Sequence, residues 1–268
     1  MIGQKNLIKL IDNISTDCTS RLFIIIGEKG SGKKLVVKRI VKNLNANLSE
    51  VDNKIDSVRY CIETAYKQND QTCYCFYDVE KMSIGAKNSL LKVTEEPPKK
   101  AYFILTVTSD QFLPKTLLSR GIIFRIENYT KDELIDYYVN IKLKKERLDD
   151  VIYLCNTPGD VELMIENGVV EFINFIYLVY ENIAEVSGAN AFKITNRIKI
   201  KDEDKGFDSY LFLKCMKRMF LKSVNKSMIE AWRVTEKSFH DLTLTGINKS
   251  FLIDRWILDV RDCFYSEE

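Results

Sequence analysis

A chain of 268 residues with 46% hydrophobic and 29% charged residues has the make-up of a soluble globular protein, long enough for one large domain or two to three smaller ones. No apolar run reaches the roughly 20 residues needed to cross a bilayer, and the N-terminus MIGQKNLIKLIDNIS is amphipathic, without the apolar core and cleavage site of a signal peptide. A membrane span is excluded, export is not expected, and a cytosolic place is. The net charge of +2 does not by itself argue for nucleic-acid binding, so the basic clusters at Lys99-Lys100 and KLKKER (Lys142 to Arg147) stand open between solvated faces and DNA contacts.

In chain order, LFIII (Leu22 to Ile26) reads as a strand and is followed by GEKGSGKK (Gly27 to Lys34) and a helical segment, Lys33 to Leu44. A weak strand signal lies at Leu48 to Val51, a helix at Asp56 to Gln68, and a strand at Thr72 to Tyr77. The next helix spans Ser83 to Glu96, with Ser83 as its N-cap and Pro97-Pro98 as its stop. Strands at Tyr102 to Val107 and Ile122 to Ile126 complete the set. These strands are apolar throughout rather than alternating, as strands buried on both faces are, and the alternation of strand and helix predicts a parallel sheet with helices on both sides. From Thr130 onward the strand signals vanish and apolar residues recur at helical spacing, as in DELIDYYV, FINFIYLVYENI and SYLFLKCMKRMFLKSV. Asn156 to Gly159 breaks two short helices, and the polar stretch Lys199 to Gly206 reads as a loop. The fold class is therefore α/β followed by all-α.

Three stretches carry chemistry. GEKGSGKK has the strand-loop-helix setting, the glycines Gly27, Gly30 and Gly32 and the lysine Lys33 of a phosphate-binding loop, in which backbone N–H groups cradle phosphates. Where a Ser or Thr hydroxyl would ligate magnesium stands Lys34, which removes a metal ligand and adds positive charge. CYCFYDVEKM ends a strand at Asp78, the place of a carboxylate that holds magnesium through water, but Val79 occupies the place of the water-orienting glutamate and Glu80 is one residue off. FILTVTSDQFLPKTLLSRG is a strand and short helix ending at Ser119-Arg120, and a lone arginine there is weak evidence alone.

The seven cysteines are scattered and odd in number, so no disulfide framework is expected. Cys73 and Cys75 share one strand face and read as buried apolar residues rather than zinc ligands. His240, the single histidine, reads as a helix-surface residue.

Together with IGQ near the N-terminus, KIDSVRYCIETAY, DVEKMSIGAKNSLLKVTEEPP, NTPGDVELMI and TGINKSFLIDRWILDV, these stretches resemble the AAA+ clamp-loader subunits of bacterial DNA polymerase III, most closely the delta-prime type. The resemblance implies an AAA+ P-loop domain over residues 1–127, a small helical lid over 128–168 and a C-terminal helical collar over 169–268. It carries the arginine of the family's Ser-Arg-Cys motif onto Arg120, a residue that reaches the γ-phosphate held by a neighbouring subunit, with Gly121 in place of Cys. It puts Thr106 or Thr108 at the sensor 1 position. The lid stretch has Gly159 and Asp160 where hydrolysing subunits carry a sensor 2 arginine, and the family's four-cysteine zinc module is missing.

What this implies is a non- or weakly hydrolysing subunit that completes a hetero-oligomeric ring through its collar and offers Arg120 in trans. Its partners would be motor subunits, the delta subunit, the sliding clamp and primer-template DNA. ATP or ADP would be held at Gly27, Gly30, Gly32, Lys33, Lys34, Asp78 and Thr106 or Thr108, with magnesium dependence in doubt and no zinc. A loop kept only as scaffold is equally open. Two other readings are an active AAA+ ATPase with Glu80 substituting for the missing glutamate, and a divergent phage or repair loader.

Overall fold

The computed structural model describes residues 3–16, 18, 20–142, 147–199, 206–223, 225–242 and 248–265. By its internal contacts the chain divides into two compact units, Met1–Tyr129 and Thr130–Glu268.

The first unit is built on strands β1 (Leu22–Ile26), β2 (Asn47–Glu50), β3 (Thr72–Phe76), β4 (Ala101–Val107) and β5 (Ile122–Arg125). They form one sheet in the order β2-β3-β4-β1-β5, every pair parallel. Helices α1 (Lys5–Asp12), α2 (Lys33–Asn43), α3 (Ile55–Ala65), α4 (Ile84–Glu95) and the short α5 (Lys115–Leu118) connect and cover it. Because side chains alternate across a strand, β1 feeds two cores. Leu22, Ile24 and Ile26 pack with Tyr74, Phe76, Phe103 and Leu105 beneath Val58 of α3 and Leu90 of α4. Phe23 and Ile25 pack with Cys73, Cys75, Tyr102 and Ile104 beneath Ile11 of α1 and Val36, Val37 and Ile40 of α2. The continuous apolar strands thus bury both faces, and the weak strand near Leu48 is the sheet's edge. Helix α4 starts where its cap was expected, Ser83 Oγ accepting from the Ala86 N–H.

The chain leaves β1, makes β2, β3 and β4, and returns so that β4 lies beside β1 on one side and β5 on the other. Ligands of open parallel sheets bind beyond the carboxyl ends of the strands at such a reversal. The loop after β1, Asp78 after β3 and Thr108 after β4 all lie at that edge.

The second unit contains α6 (Lys131–Lys142), α7 (Leu148–Leu154), α8 (Pro158–Glu166), α9 (Val169–Asn182), α10 (Gly188–Thr195), α11 (Ser209–Phe220), α12 (Lys226–Asp241) and α13 (Lys249–Asp262). Helix α11 is buried on nearly every side and packs on α7, α8, α9 and α12. Trp256 of α13 sits edge-on to Phe212 with centroids 5.3 Å apart and donates its indole N–H to Thr235 Oγ1 at 2.9 Å. The break at Asn156–Gly159 is a capping box, Thr157 and Asp160 bonding each other's backbone, with Pro158 opening α8. His240 is exposed on α12. The all-helical expectation needs one correction: β6 (Ile198–Lys199) and β7 (Phe207–Asp208) form a short parallel pair across the break expected as a plain loop. Buried Ile198 and half-buried Phe207 give that pair its apolar anchor. Residues 200–205 of that loop, 143–146 of the basic cluster and 243–247 of the C-terminal motif lie outside the described residues. Among the described residues no single helix is long and apolar enough to cross a membrane.

Candidate functional site

The loop after β1 has the backbone that cradling requires. Gly30 and Gly32 have φ of 81° and 92°, a region that costs other residues a steric penalty. A Cβ on Gly27 would stand 2.7 Å from Ser31 Oγ and 3.0 Å from Ile126 Cβ, so only glycine keeps that turn tight. Gly27 N–H donates to Val107 O, and Tyr129 Oη donates to Ser31 O, tying the loop to β4 and to the chain beyond β5. Lys33 opens α2 with its side chain folded inward, Nζ donating to Gly27 O at 2.6 Å and Glu28 O at 3.1 Å. Burial pushes its pKa down, and the carboxylates of Glu80, Asp78 and Glu28 oppose that shift. Ser31 is 3% exposed, and its hydroxyl oxygen is buried without a hydrogen-bond partner among the described residues. A tight cradle, a buried ammonium and an orphaned hydroxyl fit a phosphate group.

Metal chemistry fits less well. Lys34 is exposed and its ammonium lies 5.2 Å from the centroid of the Tyr77 ring, at the end of β3. Asp78 has a left-handed backbone, φ 51°, secured because Thr106 Oγ1 accepts its N–H and Asn53 Nδ2 donates to the carbonyls of Tyr77 and Asp78. Its carboxylate is bound by Lys81 at 2.9 Å. Val79 points into the core, fully buried. Glu80 Oε2 is buried without a hydrogen-bond partner among the described residues, and its charge bears on both Lys33 and Lys87. Of the two sensor candidates, Thr106 is fully buried with its hydroxyl on the Asp78 amide, so it shapes the strand end; Thr108 is half-buried one residue past β4. Cys73 and Cys75 are buried thiols pushed up to about 12 by desolvation.

Arg120 lies elsewhere. Its carbonyl accepts from Ser20 Oγ, two residues before β1, whereas the loop follows β1. The five residues of β1 at about 3.3 Å each put roughly 17 Å between those strand ends. Arg120 therefore cannot serve the chain's own loop. Its guanidinium donates to Glu95 Oε1 at 2.6 Å and to Thr116 O at 2.7 Å, beside a pocket of about 340 Å³ that includes Ser20, Arg21, Thr94 and Phe103. Gly121 is packed against β1: a Cβ there would be 2.8 Å from Ile24 Cδ1.

In the stretch expected to form a lid, Asp160 is turned inward. It accepts from the N–H groups of Asn156 and Thr157 and pairs with Lys214 of α11 at 2.7 Å.

A family-model match covers the segments of Asp78, Thr106, Thr108 and Arg120 but not the loop after β1. Residues 49–130 match the family model described as DNA polymerase III, delta subunit. DNA polymerase III subunit gamma of Buchnera aphidicola subsp. Schizaphis graminum is 26% identical over 177 residues, 54% of this chain and 48% of the relative. The chain resembles the AAA+ clamp-loader subunits of bacterial DNA polymerase III. DNA polymerase III subunit tau of Bacillus subtilis is 25% identical over 50% of this chain and 30% of the relative, so the chain spans half or less of the curated relatives' length. A gamma subunit-related protein of Thermotoga maritima shares the fold at a TM-score of 0.54 and 17% identity, covering 97% of this chain and 99% of that one. The RuvB Holliday junction branch migration motor of Thermotoga maritima does so at 0.53 and 14%, covering 95% and 88%. The parallel α/β fold and the resemblance to DNA polymerase III clamp-loader subunits read from the motifs thus stand. Sequence reasoning missed Glu95 as the partner of Arg120, Lys81 as the partner of Asp78, and the orphaned Ser31 hydroxyl; EEPP and DVEK were visible, but which charges meet depends on tertiary placement.

Proposed function

We propose that this chain is a clamp-loader subunit of delta-prime type that hydrolyses ATP weakly or not at all and supplies Arg120 to the site of a neighbouring ATPase subunit. The observation that carries this reading is the position of Arg120 at the sheet edge opposite its own loop, half-exposed and held by one exposed carboxylate. The loop, through Gly27, Gly30, Gly32 and Lys33, would hold the phosphates of ATP or ADP. Such a nucleotide, when bound, would add negative charge that the loop amides and Lys33 neutralise. Own-site hydrolysis is disfavoured by Lys34 at the metal-ligand position, Val79 in the core and Asp160 in a cap. Residues 128–168 and 169–268 would act as lid and ring-forming collar. The partners would be motor and delta subunits, the sliding clamp and primer-template DNA, in the cytosol.

The test is a ring reconstituted with motor subunits and Arg120→Ala. A trans arginine is worth about 10³ to 10⁵ in rate in well-studied phosphoryl-transfer systems, so ATPase and clamp loading should collapse; unchanged rates would refute the role.

The buried, unpartnered Glu80 oxygen beside Lys33 favours a second reading, an active ATPase with Glu80 orienting water. In that case a ring whose motor loops are disabled should still hydrolyse ATP, and Glu80→Gln should abolish it.

A further inference from the structure

We propose that the Lys34 ammonium takes the place of the metal ion, so that the loop binds the phosphates of a nucleoside di- or triphosphate free of magnesium. The inference rests on the cradle reading above and adds what kind of phosphate the cradle accepts.

Three observations converge. First, the side chain directly after Lys33 is the one that contributes a hydroxyl to magnesium in loops of this type, and here it is a lysine. The Lys34 ammonium, though exposed, lies 5.2 Å from the centroid of the Tyr77 ring, which puts its charge at the end of β3. Tyr77 is the residue before Asp78, whose carboxylate would otherwise steady the metal. Second, that carboxylate is already engaged by Lys81 at 2.9 Å. A magnesium ion entering would have to displace Lys81 and sit against Lys34, losing a ligand and meeting a like charge. Third, the phosphate side of the site is intact. The orphaned Ser31 hydroxyl, the inward Lys33 amine and the tight Gly27 turn are all consistent with an oxyanion, and none of them needs a metal. The site has kept its anion contacts and replaced its cation contacts.

A lysine ammonium can do electrostatically for a β-phosphate what the ion does, since charge-assisted hydrogen bonds to phosphate are strong and lysine binds it as a point charge. The consequence differs from that of an ordinary loop in sign. Magnesium should weaken binding, because a metal–nucleotide complex brings its cation to the place of Lys34.

The experiment is equilibrium binding of a fluorescent ADP analogue to the full chain, in chelator and in excess magnesium, with unlabelled ADP, ATP and pyrophosphate as competitors. Expected is tighter binding in chelator than in magnesium, competition by pyrophosphate as well as ADP, and a loss of about tenfold or more in chelator for Lys34→Thr, which now gains affinity from magnesium. Lys34 is exposed, so the variant should keep the wild-type unfolding transition, measured in parallel. Wild-type binding that requires magnesium, or an unchanged affinity of Lys34→Thr in chelator, overturns the inference and leaves the cradle standing. No nucleotide or pyrophosphate binding under either condition overturns the cradle reading and this inference with it.

Discussion

Removing Lys214 should unfold the helical unit at a much lower denaturant concentration. Its ammonium and the Asp160 carboxylate meet at 2.7 Å with side chains only 4% and 1% exposed. In Lys214→Met the apolar stem is roughly replaced, but Asp160 stays buried with its charge shared by the Asn156 and Thr157 N–H groups and no ammonium opposite. Breaking one side of a buried pair costs about 3–5 kcal/mol. With a urea m-value of about 2 kcal/mol/M for a unit of this size, the midpoint should fall by roughly 1.5–2.5 M. Both tryptophans, Trp232 and Trp256, lie in the helical unit, so fluorescence reports this transition by itself. Asp160→Asn should also destabilise, since it removes the buried charge opposite the ammonium and weakens the cap of α8. The double variant Lys214→Met with Asp160→Asn should cost less than the two losses added, because each single change already removes the shared pair. A Lys214→Met midpoint within about 0.5 M of wild type, or an additive double variant, would refute the assignment of that energy to the pair.

Glu95→Gln should leave stability within about 1 kcal/mol, because the Glu95–Arg120 pair is exposed; in a reconstituted ring it should lower partner ATPase less than Arg120→Ala does. Gly121→Cys, which restores the third residue of the resembling motif, should cost about 1–3 kcal/mol in urea unfolding, since its Cβ would press on Ile24 at 2.8 Å and on Leu22 at 3.2 Å. For Lys33 the folded-state pKa lies below its ordinary 10.5 because burial disfavours the ammonium. Phosphate affinity measured by titration should therefore be full below that lowered pKa and be lost as pH rises through it. The same shift makes charged Lys33 a cost to folding that is relieved, not incurred, over that rise.

Legibility followed the physics of each signal. LFIII and YCFY declared themselves as buried strands because a parallel strand covered on both faces has no polar side to hide. Ser83 and Pro97 marked α4 because caps and prolines act locally. The edge strand Asn47–Glu50 was faint for the opposite reason: half-exposed NLSE has little apolar pattern to read. The pair β6 and β7 escaped notice because two-residue strands carry no period. In the site, the loop glycines and Arg120 were legible as motif positions. Their electrostatic partners were not, since Asp78 meets Lys81 only through a left-handed turn and Arg120 meets Glu95 across 25 residues of chain. Thr106 looked like a sensor because it ends a central strand, and only its full burial against the Asp78 amide shows what its hydroxyl holds.

The positions that differ from a hydrolysing pattern are tied inside the chain to unequal degrees. Lys34 rests on Tyr77, Asp78 is paired with Lys81, Val79 fills the core, and Asp160 caps α8 while pairing with Lys214. Val79 and Asp160 are fully buried, so giving either a role at the nucleotide would break buried contacts, whereas the Lys81–Asp78 pair has side chains 48% and 44% exposed and the exposed Lys34 can turn from Tyr77 to a phosphate. Arg120 is also lightly held: among the described residues its ionic partner is Glu95, 54% exposed, and an exposed pair of that sort is worth about 0–1 kcal/mol. A neighbour's phosphate, carrying more charge in a drier setting, would outbid a solvated carboxylate at little cost to the fold. On these energies Val79 and Asp160 are structurally committed, whereas Arg120 is held in place yet free to leave, which is the combination its proposed role in another subunit requires.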